Sequence, residues 1–202
     1  MTDDRPRVTV ESGDGAGATR ADARRNRARL LAAAEALFAA EGSGVPIDEI
    51  ARRAGVGVGT VYRHFPTKEI LFAAVVCERL ERLAAEARVL LAADDPGKAL
   101  FAFFRSLVEA GATKKDLSDA LAAAGVDVAS QSAGLASELR DALAELLTRA
   151  QRAGAVRADI GAADLYALLA GILLAMDHRR GDDGLRDRMV AVVMDGLRRT
   201  PS

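Results

Sequence analysis

The chain has 202 residues, half of them hydrophobic but only 4% aromatic, which suffices for one or two domains with a real core. Alanine and leucine dominate and β-branched clusters are scarce, so a sheet protein is disfavoured and an all-α protein expected. The net charge of −1 carries no overall nucleic-acid signal, and Cys77, the only cysteine, excludes an internal disulfide and fits a reducing cytoplasm.

Residues 1–20 are rich in Asp, Gly and Thr without any period and read as a disordered tail; no apolar stretch there resembles a signal peptide. Asp22 is placed to cap a first helix running to about Glu41, with Leu30, Leu31, Ala34, Leu37 and Phe38 on one face and Gly42 and Gly44 ending it. A short helix follows from Pro46 or Ile47 to Ala54, and Gly55 breaks it. A second short helix covers about Val58 to His64 and ends before Pro66. Thr67 then caps a long helix from Lys68 to about Ala92. Asp94-Asp95-Pro96-Gly97 marks a turn.

Five further helices are expected: about 97–110, 114–124, 135–153, 162–178 and 185–198, nine in total. The state of the connection 125–134 is left open by its Ser, Gly and Asp content. Leu135, Leu139, Ala142, Leu143, Leu146 and Leu147 form the stripe of the third of these, with Gly154 as its C′ residue. The run Leu165 to Met176 is apolar nearly all round but shorter than the ~20 residues a membrane span needs, so it reads as a buried helix with neighbours on all sides.

The segment IDEIARRAGVGVGTVYRHFPTKEIL, Ile47 to Leu71, carries the strongest functional signal. Ile50, Ala51 and Ala54 give the first short helix a small apolar face that allows a close crossing. Gly55 supplies a turn at which positive φ is cheap. Val56, Val61 and Phe65 would lock the second helix onto the first. Val58, Gly59, Thr60, Tyr62, Arg63 and His64 are left on or near the outward face. Two short helices at a steep angle with a free second helix are a helix-turn-helix.

The outward chemistry fits DNA. Arg63 can donate twice to guanine O6 and N7, Val58 can meet a thymine methyl, and Gly59 lets the backbone approach closely. Thr60, Tyr62 and His64 can donate to phosphate, as can Lys68 at a helix N-terminus. Charge distribution agrees: Arg20 to Lys68 holds nine basic and five acidic residues, a local +4 that leaves −5 for the rest. A solvated charged helix face would explain that charge equally well, but the Tyr-Arg-His run beside Phe65, Pro66 and Lys68 is poorly explained by packing.

This segment, with a preceding helix ending LFAAEG, resembles the TetR family of bacterial regulators over about Ala21 to Leu71. The family often carries Ser or Thr where Gly57 stands, as helix cap and phosphate contact. Gly57 lacks that hydroxyl, although Gly remains an acceptable N-cap. The resemblance implies a DNA-binding domain of three helices at 21–66, and a helical ligand-binding and dimerisation domain at 67–202. It also implies a homodimer paired through the helices at about 162–178 and 185–198, where Ala167, Gly171, Val192, Val193 and Gly196 permit close approach. A two-fold dimer reads a palindromic double-stranded operator.

Within the second domain, Phe72, Phe101, Phe104, Leu107, Leu121, Leu143 and Met176 are the candidate pocket residues, each with a competing role as plain core. Few polar groups share these faces, so a small apolar effector is expected; His178 belongs at a helix end near Asp177. No cofactor or metal motif, phosphate loop or nucleophile elbow occurs, and Cys77 sits among apolar residues, so an enzyme is disfavoured. The remaining alternative is an all-helical protein–protein interaction module with no sequence-specific DNA binding.

Overall fold

The computed structural model describes residues 15–123, 128–178 and 183–199; at 15–20, 43, 112–123, 128–131, 177–178 and 183 only the backbone is described. Eight α-helices occur among these residues: α1 (Gly15–Glu41), α2 (Ile47–Ala54), α3 (Val58–His64), α4 (Lys68–Leu91), α5 (Pro96–Ala123), α6 (Val128–Arg152), α7 (Ala162–His178) and α8 (Asp183–Leu197). A 3-10 turn, Gly42–Gly44, joins α1 to α2. The all-α reading holds.

Three boundaries differ from expectation. α1 starts at Gly15, earlier than Asp22, through a segment in which Ala16, Ala18 and Ala21 favour helix; Asp22 is an interior residue that pairs with Arg25. Residues 1–14 of the expected tail lie outside the described residues. The expected helices 97–110 and 114–124 are one helix, α5, which runs straight through Gly111. Gly111 is a point of close approach rather than a break: a Cβ there would stand 2.5 Å from both methyls of Leu173 on α7. α6 begins at Val128 and so absorbs much of the 125–134 connection, of which residues 125–127 lie outside the described residues.

The caps are local and legible. Asp95 accepts a hydrogen bond from the Lys98 N–H at 2.9 Å, so the Asp-Asp-Pro-Gly turn is the N-cap of α5, with Pro96 in its first turn. Gly154, at φ 69°, ends α6 as a C′ residue, with the Gly154 and Ala155 amides donating back to Gln151 and Ala150. Arg149 donates to the carbonyls of Leu91 and Ala93, satisfying the C-terminus of α4 from α6.

The core has two continuous parts. In the N-terminal head, Leu30, Leu31, Ala34 and Leu37 of α1 are buried with Ile50, Ala51, Val61 and Phe65. In the body, α4, α5 and α6 pack around Ala84, Ala87, Leu100, Phe103, Phe104 and Leu143, all 1% exposed or less. α7 lies on α5, and α8 lies on α7.

Head and body meet along α1 and α4. Phe38 packs on Phe72 with ring centroids 4.1 Å apart and planes tilted by 55°. Glu35 of α1 accepts 2.6 Å bonds from Arg82 on both carboxylate oxygens, and Arg27 stands 3.8 Å from Glu78.

Candidate nucleic-acid interface and body cavity

α2 and α3 are held by a minimum of apolar contact, which fixes what points outward. Ile50, Ala51 and Ala54 are buried on α2, and Val61 is the buried residue of α3. Gly55 takes φ 67° and ψ 37°, a left-handed backbone that glycine adopts without steric cost. Its amide donates to Arg52 and that of Val56 to Ala51, closing the end of α2 and turning the chain into α3. Gly57 is the N-cap of α3, with extended backbone and no side chain to offer; the Thr60 amide bonds its carbonyl at 2.8 Å. Phe65 is buried beneath α3, under the Arg27 guanidinium at 5.7 Å.

The sequence-selected residues share one outward region. Gly57, Gly59, Tyr62 and Arg63 are exposed; Thr60 and His64 are half-buried. Val58 is half-buried against the core, so only part of its side chain is available outward. Lys68 stands in the first turn of α4, with its ammonium 5.5 Å from the Phe72 ring centroid. Desolvation there lowers the Lys68 pKa, partly offset by Glu69. Thr67 caps α4 by accepting from the Ile70 amide. Exposed Arg24, Arg25 and Arg29 of α1, with Arg52 and Arg53 of α2, extend the basic character of the head. The chemical capacity of α3 itself is that of a donor-bearing ridge with one forked guanidinium, Arg63.

A cavity of about 220 Å³ lies in the body and reaches the head. α4 contributes Val75, Val76, Leu80 and Leu83, and α5 contributes Leu107, Ala110 and Gly111. α7 adds Tyr166, Leu169 and Leu173, while Glu35 and Phe38 of α1 close one end. Of the sequence-selected residues whose side chains are described, only Leu107 lines it. Phe72 is occupied by Phe38, Phe104 and Leu143 are fully buried in the α4–α5–α6 core, and Phe101 lies 5.0 Å beneath the Arg198 guanidinium. Met176 packs half-buried against the core, and the Leu121 side chain lies outside the described residues, as does that of His178.

The polar groups of the cavity were not anticipated. Arg79 of α4 donates to the Glu109 carbonyl at 2.8 Å and holds its Nε 3.9 Å from Glu35. Burial pushes the Arg79 pKa down; Glu35 raises it in part. Tyr166 donates to the Arg140 carbonyl at 2.5 Å, and burial raises its pKa. The signal was present in the sequence. Arg79 interrupts the stripe Phe72, Val76, Leu83, and Glu35 interrupts Leu31, Phe38, each at helical spacing. Cys77 is half-buried on α4, where burial and Glu81 hold its thiol above the usual range. Among the described residues no cluster of His, Cys, Asp or Glu could hold a metal, and no helix is long and apolar enough to cross a membrane.

Two family models match. Residues 30–75 match the model for bacterial regulatory proteins of the tetR family, and residues 95–199 match the C-terminal domain of SbtR-like transcriptional regulators. A TetR transcription regulatory protein from Mycobacterium vanbaalenii is 50% identical, with 89% of this chain and 99% of that one covered and a TM-score of 0.71. The TetR transcriptional regulator SCO0520 from Streptomyces coelicolor is 38% identical over 87% of this chain and 99% of that one, with a TM-score of 0.73. No curated protein matches the chain. A helix-turn-helix head on an all-helical body, matched along most of its length by these regulators, belongs to the TetR family of bacterial transcriptional regulators.

Proposed function

We propose that the protein is a cytoplasmic, non-enzymatic repressor that binds a palindromic operator as a homodimer and releases it when a small, mostly apolar effector enters the body cavity. The DNA-reading head is residues 21–66 and the effector and dimer body 67–202. The observation that carries this reading is α3. Its inward side is spent on Val61 and the adjoining Phe65, while Gly59, Tyr62 and Arg63 stand exposed on the other. Arg63 serves as base reader and Thr60, Tyr62, His64 and Lys68 as phosphate donors, with Gly57, Val58 and Gly59 allowing close approach.

Support for the dimer comes from α7 and α8. Leu165 and Ile172 of α7 are buried in the chain, yet Ala163, Ala167, Leu168, Gly171 and Leu174 are exposed on its other side. On α8, Val192 is 71% exposed. An apolar outer face of two adjacent helices suits a four-helix contact with a second copy. The effector acts by favouring a conformer in which α4 swings the head and the two copies of α3 no longer match adjacent grooves. The test is a gel shift comparing DNA upstream of the protein's own gene with random DNA. Preference for the upstream DNA is expected; equal binding at every salt concentration overturns the reading.

A further inference from the structure

We propose that the effector is an amphiphile with an anionic head, whose carboxylate pairs with Arg79 and thereby takes that cation from Glu35 of the DNA-binding head. The inference rests on the reading of the body cavity as the effector site, and adds to it the ligand's chemical class and the route by which it reaches the head.

The charges around Arg79 are unevenly matched. Among the described residues, the cavity wall holds two guanidinium groups, Arg79 and Arg140, against one carboxylate, Glu35. That carboxylate is already committed elsewhere: both its oxygens accept from Arg82 at 2.6 Å, whereas Arg79 Nε is 3.9 Å away, beyond hydrogen-bond range. Arg79 makes its short bond to a neutral group, the Glu109 carbonyl, and the Glu109 carboxylate adds only a weaker attraction than Glu35 does. Its side chain is only 24% exposed, against 52% for Arg82. A largely desolvated guanidinium with a distant, shared carboxylate is poorly compensated. A ligand carboxylate can meet its fork with two parallel bonds, a geometry that a planar guanidinium favours. Arg140, exposed on α6, adds a second cation to the wall.

The rest of the wall specifies the body of the ligand. Leu80, Leu83, Leu107, Leu169 and Leu173 offer no hydrogen bond, so an alkyl or ring system belongs there and a doubly charged ligand does not. Arg79 thus converts an otherwise apolar pocket into one that prefers an acid to the matching alcohol. Because Glu35 is on α1, loss of its pairing with Arg79 is felt on the helix that carries the DNA-binding head.

The test uses octanoate and 1-octanol, which share an alkyl body and differ in head charge, titrated calorimetrically into the full-length protein near neutral pH. Octanoate is expected to bind about tenfold tighter or better, as a charge-assisted bidentate pair would give. Arg79→Gln should abolish that preference while leaving octanol binding unchanged, and Arg79→Lys, which keeps the charge but not the fork, should retain part of it. Glu35→Gln should tighten octanoate alone by removing the competitor. Ala110→Phe, which fills the cavity, should weaken both probes. Octanol binding as tightly as octanoate overturns the anionic head, and a preference that survives undiminished in Arg79→Gln overturns its pairing with Arg79; either result leaves the cavity reading standing. Absence of binding by both probes, or binding unaffected by Ala110→Phe, overturns the cavity reading and the proposal with it.

Discussion

On the proposed reading, Gly59 separates folding from DNA recognition in a single substitution. It is the second residue of α3, its backbone is helical, and a Cβ added there would meet nothing within 4 Å. Folding therefore gains from Gly59→Ala. Alanine is favoured over glycine in a helix interior by up to ~1 kcal/mol, and about half of that is expected one residue from the helix start. For a chain of this length the gain should raise Tm by roughly 1–2 °C. Operator binding should move the other way. A methyl group inserted where the backbone lies against DNA overpacks that contact by about 1–3 kcal/mol, which weakens affinity roughly 5- to 150-fold. Thermal melting gives the first quantity, and anisotropy titration of labelled upstream DNA gives the second. A higher Tm with unchanged operator affinity would remove Gly59 from the interface and rotate the reading face of α3. A lower Tm would contradict the helical backbone assigned to it.

Gly57→Ser should restore a capping hydroxyl in open space, adding a few tenths of a kcal/mol to stability and tightening DNA binding, as melting and titration would show. Arg63→Ala should cost about 1–3 kcal/mol of affinity and relax base preference at one position per half-site in a binding-site selection. Lys68→Ala should weaken all sequences alike and flatten the salt dependence, with a stability loss of up to ~1 kcal/mol from the contact with Phe72. Gly111→Ala should lose up to ~2 kcal/mol by denaturant unfolding, because the clash with Leu173 exceeds the helix-propensity gain; a more stable variant would refute the close α5–α7 approach. Val192→Glu should leave the helical circular dichroism intact and yield a monomer in sedimentation, since the residue is exposed within one chain.

The head was legible because its signals are local. Gly55, Pro66 and Thr67 each act within a turn of their own position, and the expected bounds of α2, α3 and the start of α4 agree with the structure. The body was less legible because its signals depend on partners distant in sequence. Gly111 looks like a helix break until Leu173 is placed against it, 62 positions later in the chain. The aromatic residues chosen for the pocket mark the core instead: Phe72 faces Phe38 and Phe104 is enclosed, since large rings bury most apolar area where the helices cross. The cavity forms beside that core, where Leu80, Ala110 and Leu169 leave space and Arg79 and Glu35 break two apolar stripes. An interrupted stripe, more than an aromatic one, was the informative pattern.

The position of α1 constrains how an effector can act. This helix packs on α2 in the head and on α4 in the body, and it supplies Glu35 and Phe38 to the cavity wall. A ligand there would touch α1 of the head directly, as well as α4. Magnitudes decide which contact matters most. The Arg82–Glu35 pair is half-exposed and worth at most ~1 kcal/mol, a factor of about five in affinity. A hundredfold loss of operator binding needs about 2.7 kcal/mol of difference between the two states. Loosening ion pairs at Glu35 is therefore insufficient alone. Phe38, 3% exposed and packed on Phe72, has more at stake: deleting such a buried ring costs a folded protein about 3–5 kcal/mol, an upper bound on what displacing it can contribute. On the proposed reading, an effector that reaches hundredfold release shifts Phe38 as well as pairing with Arg79, so the length of its apolar body governs release while its charged head governs recognition.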